Sequence, residues 1–475
     1  VVERQAVTDR DVDVVAAIDR RLGAGRVARK ALRYVFPDHW SFMLGEIALY
    51  AFVVLLATGV YLALFFTPDV GATGVYHGPF DALQGAEVTP AYQSTLALSS
   101  TVPGGLLIRQ THHWAALVFV AAMVVHLLRV FFTAAYRRPR ELTWLLGVAL
   151  LATGVLEGFA GYSLPDDLLS GMGLAIAYGV ALSLPLLGGS IGALVWGGEF
   201  PGPGVIESRL YILHVFVLPA VMATLIAGHL ALVVRHKHTQ FAGPGRREDN
   251  VVGTPMWPGY ALRSMALLSA VAAVLVLLGG LVQINPVWQW GPYELDRATN
   301  GAQPDWYLGW LIGGLRLMPP LEIRVFGHTL VPNPFWGGIA FPAVVFTMLT
   351  AWPFLEPRLL RDRARHDLLD RPRDHPWRTA FGVAFFSWVA LIFVAGASDR
   401  LFYVFGISYT SQVHIFRALA LLAPPVVFVI AKSTCDGLRR TQVRPGLGGP
   451  PRRVRRREDG GFDVPGTRPP HAGPP

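Results

Sequence analysis

The sequence holds one cysteine, Cys435, and little charge for its length. A lone thiol excludes an internal disulfide framework and any cysteine-ligated cluster within the chain. Charged residues make up 15% of 475 positions, where a soluble domain would carry about 25%. Two connections, 67–104 and 162–208, contain no lysine or arginine. There is no short internal repeat, and the first apolar run begins near Trp40 behind a charged leader, so it is not shaped like a cleavable signal peptide. The formal charge of +9 is sorted by loop, which argues against a nucleic-acid partner.

What the sequence has instead is apolar length, with a mean hydropathy of +0.42. Runs of roughly 20 residues, enough to cross ~30 Å of hydrocarbon, occupy about 40–66, 106–133, 142–161, 211–234, 260–284, 335–355, 378–397 and 412–431. They predict an all-α integral membrane protein with eight transmembrane helices. The connections that alternate with these two are rich in arginine: Arg137, Arg138 and Arg140; Arg235, Lys237, Arg246 and Arg247; then Arg358 through Arg378. The positive-inside bias makes these segments cytoplasmic, with both termini. Residues 1–38 read as a basic, amphipathic lead-in at the membrane surface. Residues 433–475, rich in proline, glycine and arginine from about 441, read as a disordered cytoplasmic tail. Between them lie two expected units, 39–240 and 241–432. The loops 162–210 and 285–334 face outward and are long enough for surface helices.

Ionisable groups inside a membrane helix are costly and usually functional. One such histidine could be a hydrogen-bonded core residue; four at matched positions are harder to assign that way. His112 and His126 are 14 residues apart, ~40° short of four turns and ~21 Å along the axis. His214 and His229 are 15 apart, a ~60° offset over ~22 Å. Both helices run in the same direction, so His112 can face His214 near the outer surface and His126 can face His229 near the inner one. Two stacked pairs of imidazoles suit two bis-histidine haems. Zinc sites usually need three or four converging ligands, and a proton relay would not require mirrored spacing. His113 points away from this face and is expected to be an interfacial bystander.

Glycine offers a separate test, because only glycine lets a neighbouring backbone approach a flat group closely. Gly45 and Gly59 are 14 apart, as are Gly147 and Gly161. Both pairs lie on the spans that alternate with the histidine helices. Arg109 and Arg129 lie three residues outside His112 and His126. Each can reach a haem propionate at its own surface, or simply snorkel to the interface.

With the paired histidines and glycines, "GYSLPDDLLSGMG" (161–173) and "QPDWYLGW" (303–310) resemble the cytochrome b subunit of the cytochrome bc, or quinol:cytochrome c reductase, complex. The resemblance spans roughly 40–432, and "PDDLLSG", "LLIRQTHHWAAL" and "PDWY" look like the actinobacterial branch. It implies a di-haem four-helix bundle in the N-terminal half, two b-type haems, menaquinol as donor and menaquinone as acceptor. The implied partners are a Rieske iron–sulfur subunit and a c-type cytochrome, in a homodimeric complex of the bacterial plasma membrane that can join a terminal oxidase. Electrons would cross the membrane from an outer quinol-oxidising site to an inner quinone-reducing one and contribute to a proton gradient.

In the family a Pro-Glu-Trp-Tyr segment borders the outer site, and its carboxylate handles a quinol proton. Here the segment is Pro304-Asp305-Trp306-Tyr307, so the role passes to Asp305, one methylene shorter. Without the resemblance, a helix-capping aspartate would be the plainer reading. Tyr307, Tyr162 and Gly173 match positions around the same pocket, while a more distant family tyrosine is Ile312 here. Pro165-Asp166-Asp167 adds two outward acids that could dock a partner or release protons. At the inner site the family places a quinone-contacting histidine just past the last haem ligand. His236 is the expected residue, although the basic "RHKH" exit could equally attract anionic lipid. Two other readings stay open: a haem b membrane anchor of a dehydrogenase or hydrogenase, and a cofactor-free transporter with proton-carrying histidines.

Overall fold

Among the described residues of the computed structural model, eight helices are long and apolar enough to cross a membrane: α1 Trp40–Ala63, α2 Gly105–Phe132, α3 Glu141–Tyr162, α4 Val205–His236, α5 Met256–Leu281, α6 Trp336–Leu360, α7 Pro376–Gly396 and α8 Tyr409–Thr441. The structure describes residues 31–443 except 203 and 299–302, together with Gly25 and the pairs 455–456 and 462–463. All eight coincide with the apolar runs of the sequence, and the chain is a multi-pass membrane protein. The spans are weakly amphipathic, as expected of helices bathed in lipid on one side and packed on apolar neighbours on the other.

In the loops the structure follows the sequence reading, and at the chain's ends it adds to it. Most of the expected leader lies outside the described residues, and its last residues are extended. Val35–Pro37 pairs antiparallel with Gly253–Pro255, tying the entry of α1 to that of α5. At the other end the helix continues to Val443, past the expected tail boundary at 433. That stretch lacks proline and carries a Lys432–Asp436 pair at 2.8 Å one helical turn apart. The rest of the tail lies outside the described residues, apart from a short antiparallel pairing of Arg455–Arg456 with Phe462–Asp463. The two long loops hold the expected helices, Leu168–Leu182 and Gly188–Trp196 in one and Gly309–Leu317 in the other, with a hairpin of Ile323–Val325 and His328–Val331.

Within the bundle, α1 packs on α2, α4 on α3, and α5 on both α1 and α2. Ala48, Ala51, Phe52, Ala115, Phe119, Val120, Ala122, Leu150, Met222 and Leu275 form the core between them. The alanines let the backbones close up around the larger side chains. A second core of Leu127, Phe131, Trp144, Leu349, Trp352 and Ile392 joins α2 and α3 to α6 and α7, so the two halves share one interior.

The arginine-rich end is not simply a solvated basic face. Arg137, Arg140 and Arg378 are buried. Arg137 meets Asp370 at 2.8 Å, Arg140 meets Asp367 at 2.6 Å, and Arg378 bridges Glu356 and Asp370 at 2.5 and 2.6 Å. Burial pushes the Asp370 carboxyl up, but the His375 hydrogen bond and the charges of Arg137 and Arg378 outweigh it and hold it below the usual carboxylate range. Removing one partner from such a cluster leaves the others charged and dry, at a cost of about 3–5 kcal/mol. Arg378→Met is therefore expected to lower the thermal midpoint of the purified protein sharply. A midpoint within a degree or two of the parent would show that the cluster is solvated.

Candidate functional site

The polar residues of the first four spans gather at two levels. At the level near the acidic loops, the His112 and His214 rings face each other, with centroids 6.1 Å apart and planes at 82°. His112 Nδ1 lies 2.9 Å from Thr58 Oγ1, and His214 Nδ1 lies 3.0 Å from Glu157 Oε1. With Nδ1 engaged outward, Nε2 of each ring is left for the space between the helices. At the other level His126 and His229 lie within electrostatic range of one another, and their Nδ1 atoms are buried without a hydrogen-bond partner.

The unequal spacings of the two histidine pairs are reconciled by the backbone. Leu213–Val217 forms a π-helical turn inside α4, just before Pro219. Proline has no N–H for the preceding turn and clashes with the carbonyl four residues back, and a wider turn relieves both. A π turn holds one extra residue. The 15-residue spacing of His214 and His229 thus acts geometrically like the 14-residue spacing on α2.

Each histidine also rests over a glycine of the adjacent helix. A Cβ on Gly59 would come within 3.3 Å of the His112 ring, and one on Gly45 within 3.3 Å of His126. On Gly147 it would lie 3.6 Å from His229, and on Gly161 it would overlap the His214 ring outright. The sequence reading expected these glycines to admit a flat group directly. In the structure they make room for the imidazoles.

A cavity of about 440 Å³ opens beside the first pair and reaches Arg109, His113, Glu157, Tyr162, Asn285, Asp305 and Tyr307. Asp305 precedes the short turn Trp306–Leu308 but makes no capping bond, which disposes of the plainer reading. Its carboxylate accepts from Tyr307 Oη at 3.0 Å and lies 2.6 Å from His113 Nε2. His113 is therefore no bystander: it is the histidine that faces the loop. Burial, followed by the neighbouring Asp305, raises the Tyr307 hydroxyl well above its ordinary value, so it stays a donor. Tyr162 donates to the Leu169 carbonyl at 3.0 Å, and its ring edge fills the space that a Cβ on Gly173 would need, 2.9 Å away.

The comparisons with known proteins agree on one family. A family model described as cytochrome b (N-terminal)/b6/petB matches residues 117–292. The cytochrome bc1 complex cytochrome b subunit of Streptomyces coelicolor is 47% identical over 422 residues, 89% of this chain and 77% of that protein. The subunit of the same name from Corynebacterium diphtheriae is 45% identical over 424 residues, 89% of this chain and 78% of that protein. The chain belongs to the cytochrome b subunits of bc1 complexes. A solved structure titled "Hyperthermophilic respiratory Complex III" shares the fold, with a TM-score of 0.64 at 21% identity over 88% of this chain and all of that one.

A cytochrome b binds haem b, and the residues present fit that group. Two metal–imidazole bonds of about 2 Å plus two ring radii span about 6 Å, the separation of the His112 and His214 rings. Arg109 Nε and Arg129 Nε and Nη2 are buried with no hydrogen-bond partner among the described residues. Arg109 gives one bond, at 3.2 Å, to the Asn285 carbonyl, and Arg129 lies 4.3 Å over the Phe42 ring. Free buried guanidinium N–H groups beside each histidine pair call for anionic acceptors such as propionates.

The spacing arguments did not reach several residues of this cytochrome b. Glu157, Thr58 and Glu46 sit within spans, and the rarity of acids there was a usable signal for two of them. His236 closes α4, and its carbonyl accepts from Arg140 at 2.9 Å. It is His238 that joins an aromatic cluster, 4.9 Å from Phe36 and 6.5 Å from Phe42. Burial, then Arg140 and Arg129, depress its pKa to about 4, leaving a neutral ring.

The acidic turn after α3 is built into the same wall. Asp167 is buried and caps Leu168–Leu182 through the Ser170 N–H at 3.0 Å, while Tyr293 N–H donates to the Asp166 carbonyl at 3.1 Å. These bonds fasten the turn to the loop that leads to Asp305. Burial raises the Asp166 carboxyl to about 6, against a 2.7 Å bond from Thr89 that lowers it, with Asp167 raising it further. Its folded pKa lies above the unfolded one, so its ionisation costs folded-state stability as pH rises through about 6, and below about 4 the cost is absent. Asp166→Asn keeps the left-handed backbone (φ 54°). It should raise the thermal midpoint at pH 8, by at most ~3 kcal/mol in stability, and leave it unchanged at pH 4. An equal change at both would contradict the burial argument.

Proposed function

We propose that this cytochrome b holds two b-type haems, one between His112 and His214 and one between His126 and His229. It oxidises menaquinol beside Asp305 on the outer side of a bacterial plasma membrane and reduces a quinone at the arginine-rich, cytoplasmic end. Its partners are a Rieske iron–sulfur subunit and a c-type cytochrome subunit in a homodimeric complex, with a terminal oxidase in supercomplex. The observation that carries this reading is the match of four histidine rings to four glycines of neighbouring helices, at two levels, with a buried arginine beside each level. The bc1 complex named for its relatives supports the assembly.

When bound, the haems supply two one-electron relay positions stacked across the membrane. The chain's own work is to hold and surround them. Thr58 and Glu157 fix the outer pair of imidazoles, as partners on the far ring nitrogen do in other metal sites. Arg109 and Arg129 neutralise propionates at opposite levels. Phe52, Phe119 and Met222 keep the space between the levels dry.

At the outer pocket Asp305 accepts a quinol proton. His113 and Tyr307 aim its carboxylate into the cavity, which compensates for the missing methylene. At the opposite end His238, set among Phe36, Phe42 and Tyr34, is better placed than His236 to meet a quinone ring. The cluster lies directly under Arg129.

Two variants of the intact complex test the reading. His214→Ala should reduce haem b from two per chain to one, with a single remaining midpoint in a redox titration. Loss of both or of neither would contradict the pairing. Asp305→Asn should keep both haems and slow quinol oxidation by about 10²–10⁴, the usual worth of one general base. Unchanged turnover across pH would remove Asp305 from proton transfer.

A further inference from the structure

Glu46 sits in the first turns of α1, beside Gly45 and therefore one residue from the contact with His126. Among the described residues its hydrogen-bond partners are all hydroxyls. Tyr50 Oη lies 3.0 Å and Ser264 Oγ 2.7 Å from Oε2, and Tyr260 Oη makes a short contact with Oε1. Tyr50 and Ser264 also touch each other. These four oxygen–oxygen contacts share only three hydroxyl protons. A fourth proton, on the carboxyl, gives every contact its own hydrogen, while the ionised carboxylate is still met by three donors. The cage suits both states of Glu46, which a proton carrier requires and an inert clasp between helices does not.

The cage has two exits. Tyr260 stacks on Phe36 at 3.7 Å, and Phe36 leads to His238, Phe42 and Arg129. On the other side Ser264 adjoins Arg263, which pairs at 2.8 Å with the half-exposed Asp38. The groups facing Glu46 are thus Tyr50 from its own helix and Tyr260 and Ser264 from α5, while His126 lies against the neighbouring Gly45 and Arg129 over Phe42. Arg263 and Arg129 are directed to Asp38 and Phe42.

We propose that Glu46 is the proton-delivering carboxyl of the cytoplasmic quinone site, reloaded from the surface at Asp38 through Ser264, with Tyr260 on the quinone side. This rests on the reading of that end as the quinone-reducing one. Reducing a quinone to a quinol takes two electrons and two protons. The electrons arrive by the haem route proposed above. The Glu46 O–H bond breaks as an O–H bond forms on one quinone oxygen, and the carboxylate is held by its three hydroxyls. Water at Asp38 returns the proton, and a second passage serves the other oxygen.

The test uses the intact complex with both haems reduced and a soluble menaquinone analogue added. In Glu46→Gln the haem spectra should be unchanged, and reoxidation of the inner haem should slow about a hundredfold, the low end for a lost general acid. Glu46→Asp should recover part of the rate. Independently, the redox-induced infrared difference spectrum should show a carboxyl C=O band that Glu46→Gln removes. Wild-type reoxidation in Glu46→Gln, or persistence of the band, overturns the role of Glu46 alone. If the wild-type complex itself fails to reoxidise its inner haem with the analogue, the placement of the quinone site falls, and this proposal with it. Should Glu46→Gln not assemble, the double change Tyr260→Phe with Ser264→Ala keeps the carboxyl and removes its hydroxyl partners on both exits. It should slow reoxidation likewise, and an unchanged rate overturns the proposal.

Discussion

Four missing Cβ atoms govern the rest of this structure. An imidazole carried on one membrane helix needs space at the adjacent helix, and in a close-packed bundle that space exists only where the facing residue is glycine. Gly45, Gly59, Gly147 and Gly161 each lie against one histidine ring. A larger residue at Gly161 would collide with the His214 ring, and a Cβ at Gly45 or Gly59 would press on the imidazole it faces. The alanines of the core, the π turn in α4 and the uniform direction of α2 and α4 all serve the same alignment. The bundle is tight where it can be, so that two levels can be open.

Charge is arranged around those levels according to the cost of burial. Charges inside a membrane protein must find partners or sit where water reaches them. At the arginine-rich end, Arg137, Arg140 and Arg378 meet Asp367, Asp370 and Glu356 and knit the loops together. Arg109 and Arg129 differ, since their buried nitrogens lack such carboxylates. That contrast separates arginines that hold the fold from arginines that await an anion. Asp305 illustrates the same economy: its carboxylate serves a histidine and a tyrosine of the pocket instead of capping its own turn.

The spans were legible because a helix crossing hydrocarbon must satisfy its own backbone and present apolar side chains for about 20 residues. The histidine and glycine spacings were legible for a related reason: helical geometry turns sequence separation into direction. What depends on contact between distant segments was not. The assignment of His113 as a bystander followed from its angle to His126. Its partner, Asp305, comes from a loop 192 residues later, and no periodicity carries that information. Glu46 and Glu157 were visible as acids in spans, yet only the fold shows that one meets three hydroxyls and the other a histidine. The extension of α8 past 433 was hidden by composition, because glycine and arginine there resembled the tail more than a helix. The four glycines were expected in the right places for a slightly different purpose, since spacing reports alignment and not what fills the gap.

The central claim is that two levels of paired histidines each hold one haem. The most direct measurement is the haem content of the purified wild-type complex by pyridine haemochrome, set against the amount of this chain, together with low-temperature electron paramagnetic resonance. Two b haems per chain, both low-spin with bis-imidazole signals, are expected. One haem per chain, or a signal from any other axial ligand, would contradict the account.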